Sequence, residues 1–480
     1  MTLRRVQLLL IVCIHSITTC RGFSLAVPPR PKKSGSQPGG DSQNNDVKPE
    51  QLEELFQKPH QKTAIILNTN ARSVSPQLAP IAEKVFGAEN VFLTTDEDQA
   101  KEAASQIIRN RNSYKVVVPV GGDGTLSSMI NFMCDELIKQ NTGEAKLSVK
   151  EAVKELPLIG YIPLGTGNGV GSVVGCQVTA GSLRLPGAKK RRMKQIEYIM
   201  ECLKSVSQQS SDDSLRPGPK NDNTLPYEVI DMPMMEVKTT WHDDHAVHQE
   251  KGDLCFFAGV GFDSLMLNDF KSIKAWSMRT GFLTKTLSSV AGYCVALVVK
   301  TLPNCALYGK HNVRVQLSTK DEDTLWVDHR RGDMVQRVAA HASSNPDGKQ
   351  VLYSGTTGIL AAGTSPFYGG GLRLFPFARL TTDKMHLRLG RINPLTGFIN
   401  IPKIFEGSYR DKSDTFGCID FIGGDFEVEV ATDEHNGRKG FPFQHSGESI
   451  GHIDRFRLRV INEPVRFVSF LKKRVDVDEK

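Results

Sequence analysis

The amino-acid sequence predicts an α/β nucleotide-binding domain followed by a β-sandwich domain. Three observations lead there. Between residues 62 and 205, apolar β-branched runs alternate with helically spaced segments, the pattern of a parallel sheet covered on both faces. Two of those runs open directly into glycine loops. From residue 226 onward, short β-like runs follow one another closely and long helices become rare, as in a sandwich.

The elements justify themselves in order. Thr63–Asn68 (TAIILN) is a buried strand ending in a turn, and Asp96–Asn110 carries Ala100, Ala103, Ala104, Ile107 and Ile108 on one helical face. Tyr114–Val120 (YKVVVPV) is a second strand, running into Gly121-Gly122-Asp123-Gly124-Thr125 and then a helix over Leu126–Ile138. Leu158–Pro163 is a third, opening into Leu164-Gly165-Thr166-Gly167-Asn168. Residues 206–225 are polar, rich in Ser, Pro and Gly, and read as a disordered insertion. The β-like runs that follow include VIDMPMMEVKTTW, CFFAGVG, VRVQLST, GLRLFPFARL, KMHLRLG, FEVEVAT and RFRLRV, with one helix expected over Gly281–Thr301. The domain plan is therefore residues 62–205 for the α/β domain and 226–470 for the β-rich domain.

Charge and cysteine content exclude several functions. The 480 residues carry a net charge of +7, but residues 1–40 hold six Lys/Arg and no acid, so the remainder stands at +1. A body so close to neutral does not suggest a nucleic-acid-binding surface. The nine cysteines form no CxxC pair, which argues against zinc ribbons and a disulfide framework. At the N-terminus, Arg4-Arg5 precede a short apolar run, Val6–Ile14, and then small residues: the layout of a signal peptide, too short for a membrane span of about 20 residues. A basic, Ser/Pro-bearing stretch follows. Residues 1–40 thus read as a targeting presequence, resembling the two-part plastid presequences of algae with secondary plastids; entry to the endoplasmic reticulum or a signal anchor is the alternative. Residues 41–61 read as linker.

The glycine loops carry the chemistry. Successive glycines after a strand let backbone N–H groups converge on an anion without a Cβ in the way. GGDGT adds a carboxylate for metal or proton and a hydroxyl for an oxygen, a set suited to a nucleotide triphosphate. It is neither a P-loop nor a GxGxxG fingerprint. A plain chain reversal would explain one such loop; it does not explain a second about 40 residues later.

Asn68, GGDGT at 121–125 and Pro163-Leu164-Gly165-Thr166-Gly167-Asn168, in this order and spacing, resemble the diacylglycerol kinase catalytic domain, shared by bacterial lipid kinases and, more distantly, by sphingosine and ceramide kinases. Weaker matches follow in the correct order: Gly259-Val260-Gly261-Phe262-Asp263, Phe367-Tyr368-Gly369-Gly370-Gly371 with Pro376 and Ala378, and Gln444-His445-Ser446-Gly447-Glu448. The resemblance covers roughly residues 62–470, with insertions expected at 206–225 and 318–350. It implies the fold shared by NAD kinases and diacylglycerol kinases, a cleft between the domains, ATP and Mg²⁺ as cofactors, and phosphorylation of a membrane-lipid hydroxyl of the diacylglycerol or sphingoid-base type. Nucleotide contacts fall on Asn68, Thr94 (or Thr95), Gly121, Gly122, Asp123, Gly124, Thr125, Gly165, Thr166, Gly167 and Asn168. Asp123 and Glu448 are the candidates for catalysis and for metal. Asp263 reads as a helix-capping residue that could instead meet a lipid headgroup.

The partners implied are a lipid at a membrane surface and a second copy of the chain, without nucleic acid. The basic run 184–194 reads as a solvated loop, or as attraction to anionic lipid. An NAD kinase shares GGDGT but lacks the second loop. A catalytically weakened lipid-binding regulator is the other alternative. It draws on the departures from the family pattern: Ser127-Ser128 for Asn-Glu, Gly169 for Asp, Thr381-Thr382-Asp383 for Asp-Asp-Gly, and Ser446 for Asp.

Overall fold

The structure is a computed structural model. It describes residues 62–71, 73–141, 147–165, 168–174, 188–208, 227–242, 247–249, 252–281, 284–287, 290–309, 312–338, 348–391, 397, 399–410, 417–431 and 440–470. The expected presequence and linker, and residues 209–225 of the expected insertion, lie outside them, whereas residues 206–208 of that insertion end the helix Ala188–Gln208.

The first layer is a seven-stranded sheet. Near one edge, strand β1 (Lys62–Asn68) pairs in parallel with the edge strand Val91–Thr94 on one side and with β2 (Tyr114–Gly121) on the other. Side chains alternate across a strand, so Ala64 and Ile66 enter one core cluster while Ile65 and Leu67 enter another. Helices Glu97–Arg109 and α1 (Asp123–Gln140) cover the first face; Leu78–Phe86 and α2 (Ala188–Gln208) cover the second. Both faces are dry, which is why the strand sequence is apolar throughout.

Two further strands complete this sheet, and both come from beyond residue 205. Val465–Ser469 lies parallel to Leu158–Ile159, and Glu228–Met232 runs antiparallel at the edge. The run expected as one strand, VIDMPMMEVKTTW, is therefore two strands in different sheets, divided at Pro233, which has no N–H for a ladder.

The β-rich part is a sandwich of an eight-stranded and a seven-stranded sheet. Val260, Leu360, Leu387 and Phe443 from one sheet meet Val237, Val315, Val428, Phe456 and Leu458 from the other. In the first of these sheets β3 (Phe257–Gly261) lies between Ile359–Gly363 and β4 (Phe441–His445), and leads directly into helix α3 (Phe262–Thr280). Strand β5 (Glu448–Ile453) completes a hairpin with β4. The two domains share apolar packing: Phe256, Phe257 and Phe375 belong to the same cluster as α1, and the rings of Phe256 and Phe467 are 6.1 Å apart.

Four further expectations change. GLRLFPFARL forms no strand; it follows a short 3₁₀ turn, and it buries Phe375 and Ala378 from irregular backbone around Pro376. The helix expected over 281–301 is divided into Thr284–Leu287, Val290–Ala296 and a π-helical turn, Leu297–Thr301. Part of 318–350 is not inserted at all, since Leu325–Asp328 and Met334–Arg337 form the edge of the eight-stranded sheet. The basic run continues from Ala188 as the start of α2, not as a loop. Among the described residues Cys134, Cys202, Cys255, Cys305 and Cys418 are buried and form no disulfide.

One charged group sits inside the sandwich sheet. Asp420, fully buried, accepts two bonds of 2.7 Å from Arg388 and lies 2.8 Å from His329 Nε2. Burial opposes its charge, but Arg388, His386 and His329 hold its pKa well below the usual carboxylate range. Removing one partner of such a pair strands the other in a dry interior. Arg388→Leu is therefore expected to destabilise the protein by about 3–5 kcal/mol in urea unfolding; a loss below about 1 kcal/mol would show that solvent reaches the pair.

Candidate active site

The chain leaves β1 toward one side of the sheet and returns to build β2 on the other. The carboxyl ends of these neighbouring strands therefore open a crevice, the place where open α/β sheets bind ligands. Asn68 ends β1, Gly121 ends β2, and Thr94, aligned with Asn68, ends the adjacent strand. Helix α1 starts at Asp123, so its first turn presents unpaired N–H groups and positive dipole at this point.

The two glycine loops touch through backbone. A Cβ on Gly165 would overlap the Cα of Gly122 and lie 2.9 Å from its nitrogen. Leu164 and Gly165 donate their N–H groups to the Gly121 carbonyl at 2.7 and 2.9 Å. Asn168, in the left-handed region at φ +50°, bonds back to its own loop: its Oδ1 accepts from Gly165 N–H at 3.0 Å and its Nδ2 donates to Gly165 C=O at 2.9 Å. Thr125 folds against Gly121 and accepts from Asn68 Nδ2 at 2.8 Å. Asn68 thus ties β1 to the loop that ends β2.

Asp123 is placed differently from its expected role. Its carboxylate is buried and accepts from Gly169 N–H at 2.6 Å, Val170 N–H at 3.3 Å and the Tyr161 hydroxyl at 3.2 Å. Burial pushes its pKa up to about 6, while these three donors pull it down. With its oxygens so committed, Asp123 clamps the second loop to the first and does not face a metal or an acceptor. Thr94 is also structural: its buried hydroxyl points to the Leu67 carbonyl, 3.5 Å away. Thr95, the alternative, is exposed and bonds to Asp96 and Gln99. Thr166 and Gly167 lie outside the described residues.

The β-rich domain closes the site with the tip of the β4–β5 hairpin. Ser446 and Gly447 form its two-residue turn, with φ +48° and +81°, the signs of a type I′ connection. This turn brings Glu448 to Gly124, where a Cβ would lie 3.0 Å from Glu448 Oε1. Beside it the hydroxyls of Ser127 and Ser446 meet at 2.8 Å in a buried contact. This contact joins the two domains. Nearby, buried Asp263 begins α3 and accepts from the Tyr368 hydroxyl at 2.6 Å and from Gln444 Nε2 at 3.2 Å, while Gln444 also bonds to Tyr368. Burial raises its pKa. This is a helix-start acid in an internal network, not an open headgroup contact.

The structure brings together Asn68, Gly121–Thr125, Gly165, Asn168 and Glu448. Sequence reasoning missed Tyr161, the contact between Ser127 and Ser446, and Lys271 of α3, whose Nζ lies 3.2 Å from Glu448 Oε2. No periodicity marks any of the three. Among the described residues, no group of three or more His, Cys, Asp or Glu could hold a metal ion. Mg²⁺ commonly binds through one or two carboxylates and the substrate's phosphates. Exposed Glu448 fits that use; Asp123 does not.

Residues 62–199 match the family model for the diacylglycerol kinase catalytic domain. No curated protein sequence matches the chain. Among solved structures, a diacylglycerol kinase of Bacillus anthracis strain Sterne is similar at 11% identity and TM-score 0.42, covering 86% of this chain and 97% of that one. Yeast NADH kinase is similar at 9% identity and TM-score 0.36, covering 88% and 86%.

Two outcomes are expected here. Gly165→Ala should lower the melting temperature, because the added carbon collides with Gly122 backbone that has no rotamer to change; calorimetry measures it. Asp123→Asn places an amide nitrogen against one of three donors, costing about 1–3 kcal/mol. Its pH dependence is also set. The folded carboxyl titrates near 6 and the unfolded one near 3.8, so as pH rises between them the unfolded chain releases its proton first and this site loses stability. The stability gap between wild type and Asp123→Asn should narrow across that window in unfolding titrations. A gap independent of pH would mean that the carboxyl is solvated.

Proposed function

We propose that this chain, a kinase by virtue of its diacylglycerol kinase catalytic domain, transfers the terminal phosphate of ATP to a hydroxyl of a membrane lipid. One observation carries the nucleotide half: two glycine loops in backbone contact at the crevice beside the N-terminus of α1. Phosphoryl transfer asks a protein mainly for positioning and charge stabilisation. The first-turn N–H groups of α1 and the stitched loops supply a fixed, positive cradle. Mg²⁺, when bound with the nucleotide, supplies further charge neutralisation, and Glu448 is the residue that would hold it.

Glu448 is also an exposed carboxylate beside Gly124, which supports a role for it in taking the proton of an acceptor hydroxyl. A loose transition state makes little demand on that base. Ser446 takes no part in proton transfer; its hydroxyl is engaged with Ser127.

The lipid half is supported by the matched family and by the surface beside the site. After Asp263 the helical segments expose Trp276, Met278, Val299 and Leu307, with Lys274 and Arg279 on the same stretch. Apolar side chains beside basic ones suit an anionic lipid surface. No described helix is long and apolar enough to cross a membrane. We propose further that the leader at 1–40 delivers this body through the secretory route to an organelle.

The test uses purified protein, radiolabelled ATP and Mg²⁺ with vesicles containing diacylglycerol, a sphingoid base or ceramide, and separately NAD. Labelled phosphate in a lipid product is expected. Phosphorylated NAD with no lipid product would overturn the reading.

A further inference from the structure

One buried amide reaches three of the segments that surround the crevice. Gln444, next to last in β4, is 1% exposed. Its partners assign its two polar atoms. The Gly447 N–H can only donate, so Oε1 faces it, at 3.2 Å. Nε2 then points the other way, to Asp263 Oδ2 at 3.2 Å and to the Tyr368 hydroxyl. Asp263 lies in the first turn of α3, and Gly447 immediately precedes Glu448.

Tyr368 extends this chain of contacts. Its hydroxyl donates to Asp263 at 2.6 Å, and its ring packs against Phe257 and Phe375. The preceding carbonyl, of Phe367, borders Gly169: a Cβ there would lie 3.0 Å from that oxygen. Gly169 is in turn a donor to Asp123. The hairpin turn is thus tied, through Gln444 and Tyr368, to the loop end that Asp123 holds from the opposite side.

Asp263 and Gln444 are buried and fully engaged, which leaves this network few other arrangements. The Glu448 side chain has the opposite setting, 59% exposed. Its place beside Gly124 depends on its pair with Lys271 and on the turn from which it leaves.

We propose that Gln444 is a positioning residue for the transfer step, holding the turn at 446–447 so that the Glu448 carboxylate stays on the face of Gly124. This rests on the phosphoryl-transfer reading above and adds to it a residue that never touches substrate. Among the described residues, no side-chain bond links Gln444 to either glycine loop, so the nucleotide cradle does not depend on it.

Gln444→Met keeps the length of the side chain and removes its bonds. The assay uses the purified full chain, Mg²⁺, radiolabelled ATP and whichever of the three vesicle lipids above the wild type phosphorylates. The variant should lower kcat by about tenfold to a hundredfold, the cost of a small misplacement of a reacting group, and change the ATP KM by less than about threefold. Tyr368→Phe deletes one hydroxyl of the network and keeps the ring; it should lower kcat by a smaller factor, and it replaces Gln444→Met if that variant does not fold. The deciding comparison repeats the substitution in a Glu448→Gln background. If Gln444 acts through Glu448, the further loss there is less than about twofold. Equal losses in both backgrounds would overturn the proposal, as would an unchanged kcat or an ATP KM that rises in step with the fall in kcat. A wild type that phosphorylates none of the lipids refutes the transfer reading itself, and this proposal with it.

Discussion

The site depends on two glycine backbones meeting with no side chain between them. Gly122 ends the approach from β2, Gly165 begins the turn after residues 162–163, and their separation leaves no room for a Cβ. Once they touch, the Gly121 carbonyl can accept from both Leu164 and Gly165, and the second loop is fixed by bonds to the first. Everything anionic in the proposed chemistry relies on that contact, because the amides that would cradle phosphate belong to these two loops. Neutral backbone is cheap to bury only when its N–H and C=O groups find partners, and here each loop supplies the other's.

A buried carboxylate reinforces the same contact. Asp123 takes N–H donors from Gly169 and Val170 and a hydroxyl from Tyr161, so an acid inside the first loop holds the far end of the second. Charged groups survive in dry sites when several donors converge on them, and burial still leaves this one with a pKa of about 6. Exposed Glu448 has the opposite setting. The two carboxylates differ in setting because one is enclosed and the other, just after the buried Ser446 turn, keeps its side chain open to solvent.

The hairpin shows how a β domain can complete an α/β site. Its turn requires positive φ at both central residues, which Ser446 adopts at some cost and Gly447 adopts freely. The buried hydroxyl contact with Ser127 and the Ser446 N–H bond to the Phe257 carbonyl hold that turn against α1 and β3. Shared apolar packing around Phe256, Phe375 and Phe467 keeps the domains from separating beneath it. Ser446 thus serves as a neutral link between the domains.

The local sequence determined the parts whose physics is local. Apolar β-branched runs named the central strands, because both faces of that sheet are covered. Glycines at strand ends marked both loops that meet in the crevice, because only residues without a Cβ allow backbone to approach so closely. Asn68 and Glu448 were legible only through the resemblance of their motifs, in order and spacing, to the diacylglycerol kinase catalytic domain. Tertiary structure decided the rest. Whether Asp123 faces solvent or the second loop depends on Tyr161 and Gly169, 38 and 46 residues away. The placement of Glu228–Met232 and Val465–Ser469 in the first sheet depends on pairing between segments far apart in sequence, which no periodicity records. Lys271 was one surface lysine among many until α3 packed on the hairpin and set it 3.2 Å from Glu448. Side-chain period and glycine chemistry are written along the chain; which distant group a charge meets is fixed only when the sheets close around it.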